Sequence, residues 1–207
     1  NMSIVKLSKD HQRALRESYN RPIHMLEAPK QNNDPLNKNL DIEKINKNYF
    51  DHKFGFTYFD GLLNNDALDS LRKFLLGSTI WFDFFHDGGY MGAYLKDGLA
   101  SGLILQISEN LRKKFPNIFR DHFLTQAWAY KYDSRASDHK NSYSGIGLHA
   151  DFAAINANFW ITPNSANLDS SSGGLVVYDI EAPLDWSFKR FNNPNKEEIF
   201  ENKDDIQ

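Results

Sequence analysis

The chain contains no cysteine among its 207 residues, which removes a disulfide framework and every thiolate-ligated metal or cluster from consideration. No apolar run is long enough to span a bilayer, and the opening stretch NMSIVKLSKDHQRALRE lacks the apolar centre of a secretion signal. No membrane partner is therefore expected, and the expected compartment is the cytoplasm. Charge of neither sign is in excess: 24 basic against 27 acidic side chains leave a formal net charge of -3. That balance lacks the basic surplus with which proteins grip nucleic acid, so no nucleic-acid partner is expected. Neither a glycine-rich phosphate loop nor a Gly-x-Ser-x-Gly elbow is present. Histidine is also unevenly spread, since none of the 7 follows His149.

Aromatic residues, by contrast, are plentiful at 14% within an apolar share of 41%, enough to build a packed interior in one domain spanning residues 1–207. Residues 1–50 read as an N-terminal arm and helix, and residues 51–207 as helices followed by a β core. Ser8 is a suitable N-cap for a short helix running through Leu15. From Glu27 to Asn48 the chain is rich in Asn and carries Pro29 and Pro35; it reads as a long connection or an arm laid on the surface. The aromatic FGFTYF at 54–59 predicts a strand. Asn64 or Asn65 then opens a helix with Leu68, Leu71, Phe74 and Leu75 on one side and Gly77 as its stop, and a second helix is predicted from Ala100 to Phe115 with Leu103, Ile104, Ile107 and Leu111 at helical spacing.

Residues 127–179 carry the chemistry. AWAYKYD alternates Trp128, Tyr130 and Tyr132 against small or polar residues and predicts a strand. FAAINANFWIT predicts a second, with Asn156, Asn158 and Trp160 on one face and Ile155, Ala157, Phe159 and Ile161 on the drier one. LVVYDI, entered through Gly173 and Gly174, predicts a third. Between the first two stands His149-Ala150-Asp151. Side chains two apart on a strand share a face, so an imidazole and a carboxylate are set side by side, as in two of the three ligands of a 2-His-1-carboxylate iron site. A single such spacing is close to chance, and its ordered surroundings give it weight.

That order resembles the Fe(II)/2-oxoglutarate-dependent oxygenases, in particular their prolyl-hydroxylase-like branch. Tyr130 to Asp133, the Gly145-to-Asp151 segment, Phe159 to Thr162 and Gly173 to Tyr178 stand in the family's sequence. The resemblance implies an α+β, mainly β fold: a double-stranded β-helix, of the jelly-roll or cupin-like type, buttressed by N-terminal helices. It implies Fe(II) held by His149 and Asp151, with 2-oxoglutarate as cosubstrate and a small molecule or peptide as substrate. Tyr132, Asn158 and Trp160 are the residues expected to contact the cosubstrate. For each a plainer role stands beside it: Tyr132 as a core aromatic, Asn158 facing solvent, Trp160 filling the mouth of a barrel.

The family also implies a distal histidine and a basic anchor for the cosubstrate carboxylate on later strands. Neither is found here, and Lys189 and Arg190 follow the Gly-Gly strand too closely to serve. The expectation is therefore a domain cut before its last strands, with little metal held by only two ligands and with exposed edges that either pair as a homodimer or are covered by the Glu27-to-Asn48 arm or the tail after Pro183. His86, His122 and His139, each beside an aspartate, read as solvated loop residues, and Trp81, Phe82, Phe84 and Phe85 as core or dimer surface. The other readings are a cupin-like metal-binding or sugar-binding domain and a catalytically inactive interaction domain. His149 as an ordinary histidine satisfied by a backbone carbonyl, and Asp151 as a turn or capping carboxylate, are the bland counterparts of the metal pair.

Overall fold

The computed structural model describes residues 6–19, 21–84, 90–132, 149–167, 174–178 and 185–192. Its elements run α1 (Lys9–Leu15), α2 (Ile42–Asp51), α3 (Asn65–Gly77), β1 (Tyr90–Tyr94), α4 (Gly102–Lys114), α5 (Pro116–Phe119), β2 (Trp128–Tyr132) and α6 (Phe188–Phe191). Each of the first helices begins where a short polar side chain can take an unpaired N–H. Ser8 accepts from His11, Asp41 from Lys44, Asn64 from Ala67 and Ser101 from Ile104. The helices from Ser8, from Asn64 and from Ser101 are those the sequence predicts.

The core lies where α3 and α4 turn their apolar faces inward. Leu71, Phe74 and Leu75 of α3 are buried together with Leu103, Ile107 and Leu111 of α4 and with Phe115 just beyond it. Strands β1 and β2 pair antiparallel, Tyr90 opposite Tyr132 and Tyr94 opposite Trp128. Alternation then puts Ala93 and Ala129 on the face toward the helices, where Ala93 is wholly buried and Ala129 packs against the core. A helical core that takes in one face of a small sheet is thus present.

The expected β-helix is not. Among the described residues the molecule is mostly helical, with one two-stranded sheet, which overturns the mainly β, double-stranded β-helix assignment. Three predicted strands account for the difference. In FGFTYF, Gly55 has φ +64 and an added Cβ there would press on the Tyr49 ring at 3.0 Å. The run is bent at a left-handed residue beneath α2, and His52 meets the Phe56 ring at 5.5 Å instead of a neighbouring strand. In FAAINANFWIT, Ile155 and Ile161 pack against the helical core, and the Arg72 guanidinium of α3 donates to the Ile161 carbonyl. The segment lies against helices, and its Ala and Asn residues have little strand preference to oppose that. Of LVVYDI, Leu175 to Tyr178 are exposed and form no strand, while Asp179 and Ile180, like Gly173, lie outside the described residues.

The stretch read as a surface arm is buried in part and helical in part. Ala28, Pro35 and Leu36 are sealed into the interior, and Leu36 forms an isolated bridge with Leu63. The arm runs so close to α4 that a Cβ on Gly102 would sit 2.9 Å from the Lys30 backbone nitrogen; the Leu103 N–H bonds the Ala28 carbonyl at 2.9 Å. Its second half is α2, whose Ile42, Ile45 and Tyr49 recur at helical spacing behind the Asp41 cap and face the core. Pro116 starts α5 at its first position, where a missing N–H costs nothing. No helix among the described residues is long and apolar enough to cross a membrane.

Candidate functional site

His149 and Asp151 lie together. The imidazole Nε2 stands 3.6 Å from Asp151 Oδ1, and the two side chains are 42% and 27% exposed. A contact of this length between partly solvated groups adds little stability. Its geometry suits a shared cation. Donors each about 2.1 Å from one ion stand roughly 3 Å apart at a right angle and roughly 4.2 Å apart when opposed, and the observed separation falls between these limits. Among the described residues no third His, Asp or Glu joins the pair.

The segment bearing the pair is fixed from two sides. Toward the N-terminal part of the chain, Ile155 and Ile161 anchor it on the core and Arg72 takes the Ile161 carbonyl. From downstream, Asn192 at the end of α6 bonds both backbone groups of Ala150, and the Phe188 ring meets Phe152 edge-on at 5.6 Å. Sequence reasoning missed Asn192. It sits 42 positions from Ala150, and nothing in its neighbourhood marks it except the Lys-Arg-Phe turn before it.

The remaining candidates are placed as follows. Tyr132 is the last residue of β2, opposite Tyr90. Asn158 is exposed, and Trp160 is open to solvent at 65%. The expected division of this run into a polar and a drier face is not found: Asn156 to Trp160 are all exposed, Ala157 and Phe159 included. His122 is exposed, as expected of a solvated residue. His86, His139 and the Gly145-to-Leu148 approach to His149 lie outside the described residues, as does Phe85. Of the aromatic cluster, Trp81 packs on the core and donates its indole N–H to the Leu75 carbonyl at 3.1 Å, whereas Phe84 is exposed.

A second polar cluster lies on the sheet, and the sequence reading did not single it out. Register places Tyr90, Tyr94 and Tyr130 on the face turned away from Ala93. The Tyr90 and Tyr130 rings meet edge-on at 5.1 Å. Asp83, bridged to Gly92, accepts from the Tyr94 hydroxyl at 2.6 Å. That hydrogen bond, reinforced by desolvation and then by the carboxylate charge, carries the Tyr94 phenol well above the usual tyrosine value; Tyr90 is raised by burial and then by the same charge. On the opposite face Lys131 lies 4.2 Å from the centre of the Trp81 ring, and burial lowers its pKa.

A phenol raised by folding stabilises the native state at pH values below about 10, its unfolded value, and loses that contribution as pH rises above it. Tyr94→Phe should therefore lower stability by about 1.5 kcal/mol near neutrality, the low end for a bond to a charged acceptor because both partners are partly exposed. The deficit should shrink above pH 10. Urea unfolding of both proteins at neutral and at alkaline pH measures it, and a deficit that does not change with pH would contradict the assignment.

Comparison with protein-family models, with curated proteins and with solved structures finds no match for this chain.

Proposed function

We propose that His149 and Asp151 are two protein ligands of an Fe(II) centre that uses 2-oxoglutarate as cosubstrate to hydroxylate a small molecule or peptide. The observation that carries the reading is the approach of His149 Nε2 to within 3.6 Å of Asp151 Oδ1, from positions where the order of surrounding motifs resembles the oxygenases. The resemblance bears on the chemistry alone, since the described residues form a helical core with one two-stranded sheet and no β-helix. When bound, ferrous iron and 2-oxoglutarate would supply dioxygen activation: one oxygen atom goes to the substrate as hydroxyl and the other to succinate, with release of carbon dioxide.

The residues of the chain have narrower tasks. His149 would present a neutral nitrogen lone pair and Asp151 a full negative charge, a donor set suited to a divalent ion of intermediate softness. Partial solvent exposure leaves the Asp151 carboxylate accessible to an ion from solution. Tyr132, Asn158 and Trp160 are proposed as cosubstrate contacts. Trp160 and Asn158 would offer a flat apolar wall and an amide to a dicarboxylic acid, and their exposure leaves them accessible.

The test is direct. The full chain, given Fe(II), 2-oxoglutarate and oxygen, should form succinate at a rate that requires both iron and cosubstrate and that falls in His149→Ala and Asp151→Ala. Absence of succinate together with no saturable binding of Fe(II) would overturn the proposal.

A further inference from the structure

The two proposed ligands are separated by Ala150, and one side chain takes both hydrogen-bonding groups of that residue's backbone. The Ala150 N–H donates to Asn192 Oδ1 at 2.8 Å, and Asn192 Nδ2 donates to the Ala150 carbonyl at 2.9 Å. The first group belongs to the peptide unit that joins His149 to Ala150. The second belongs to the unit that joins Ala150 to Asp151. Each unit is planar, so holding one N–H and one C=O restrains the backbone torsions of Ala150, and with them the relative placement of the His149 and Asp151 Cα atoms from which the two side chains depart.

A single partner can reach the N–H and the C=O of one residue only when both point to the same side, as they do in an extended chain paired in a ladder. That arrangement is the one that sets residues 149 and 151 on a common face. The carboxamide of Asn192 thus does for Ala150 what a residue of a neighbouring strand would do. The molecule uses the device a second time: the Gln31 N–H donates to Gln106 Oε1 at 2.7 Å, and Gln106 Nε2 donates to the Gln31 carbonyl at 2.9 Å.

Asn192 is itself held in place. It terminates α6, where its own N–H bonds the Phe188 carbonyl at 3.1 Å. Ser187 caps the other end of the turn by accepting from Arg190 at 3.2 Å, and the Phe188 ring rests on Phe152, the residue after Asp151. The short helix therefore docks on the ligand segment through a ring on one side and an amide on the other.

We infer that Asn192 is a positioning residue for the His149–Asp151 pair, its carboxamide standing in for a strand and setting the spread of the two donors toward one divalent cation. This rests on the metal reading above and extends it to a residue that touches neither donor atom.

The probe is Co(II), titrated into the full chain and followed by its visible absorption, alongside hydrogen exchange at the Ala150 amide. Asn192→Ala should speed Ala150 exchange and weaken Co(II) binding about 10-fold, the lower end for residues that support metal ligands. Asn192→Gln keeps the carboxamide that Gln106 uses elsewhere and should recover most of both. Unchanged exchange in Asn192→Ala would refute the clamp. Faster exchange with unaltered affinity would refute its role in positioning, and loss of affinity that Asn192→Gln fails to recover would reduce Asn192 to packing. A wild-type chain that binds no Co(II) overturns the proposed function and the metal half of this inference together, while a wild-type chain that binds it leaves Asn192 to stand or fall on its own variants.

Discussion

Asp151→Ala should weaken binding of Co(II) or Fe(II) by about 100-fold or more, since removing a ligand must cost at least as much as removing a residue that merely supports one. His149→Ala should do the same. The reason is charge and geometry together: Asp151 supplies the only formal negative charge of the pair, and its Oδ1 lies 3.6 Å from His149 Nε2, so either loss leaves the ion with one of the two donors found among the described residues. Folding should barely notice. Both side chains are partly solvated, and an ion pair in that setting contributes about 1 kcal/mol at most. Binding titrations paired with urea unfolding separate the two effects. Equal affinities in wild type and Asp151→Ala would remove Asp151 from the site.

Phe115→Ala carries the largest expected effect on stability, about 3–5 kcal/mol, against the roughly 5–15 kcal/mol that holds a domain of this size together. Phe115 is 1% exposed and occupies the joint between α4 and α5. Its N–H bonds the Leu111 carbonyl and its own carbonyl accepts from Phe119, while its ring lies 6.2 Å from that of Phe59. Backbone bonded on both sides cannot move inward to close the cavity left by a lost ring, which places the cost toward the upper part of the range. Denaturant unfolding should show a lower midpoint with little change in slope. A loss of less than about 1.5 kcal/mol would mean that neighbours such as Phe59 refill the space.

Helices were legible in the sequence because their signals are local. The cap at Ser8, the Asn64 cap with Leu71, Phe74 and Leu75 behind it, and the periodic Leu103, Ile107 and Leu111 all act within a few residues. Asp41 with Ile42, Ile45 and Tyr49 gave the same signal, masked by the Asn-rich, proline-bearing stretch around it. Strands were less legible, since alternation describes only one face of a pair and the partner is chosen by the rest of the molecule. AWAYKYD found its partner in β1, whereas FAAINANFWIT lies on helices through Ile155, Ile161 and Arg72. At the site, the closeness of His149 and Asp151 followed from their spacing. The Asn192 clamp did not, because a hydrogen bond across 42 positions leaves no trace in local pattern, and the Tyr94–Asp83 bond joins residues 11 positions apart.

The attachment of the arm to α4 has a consequence for how the chain comes to be folded. Gln31 and Gln106 are 75 positions apart, and Asp34 and Lys114, joined at 3.1 Å, are 80 apart. At ribosomal rates of about 5–20 residues per second the arm waits roughly 4–15 s before its partner helix exists. During that interval Ala28, which ends in the interior with its carbonyl bonded to the Leu103 N–H, lacks the helix it docks on. Closure of so long a loop is also a slow contact to make from the unfolded chain, so docking of the arm should come late both in synthesis and in refolding, and this stretch is where a chaperone would find the nascent protein longest exposed.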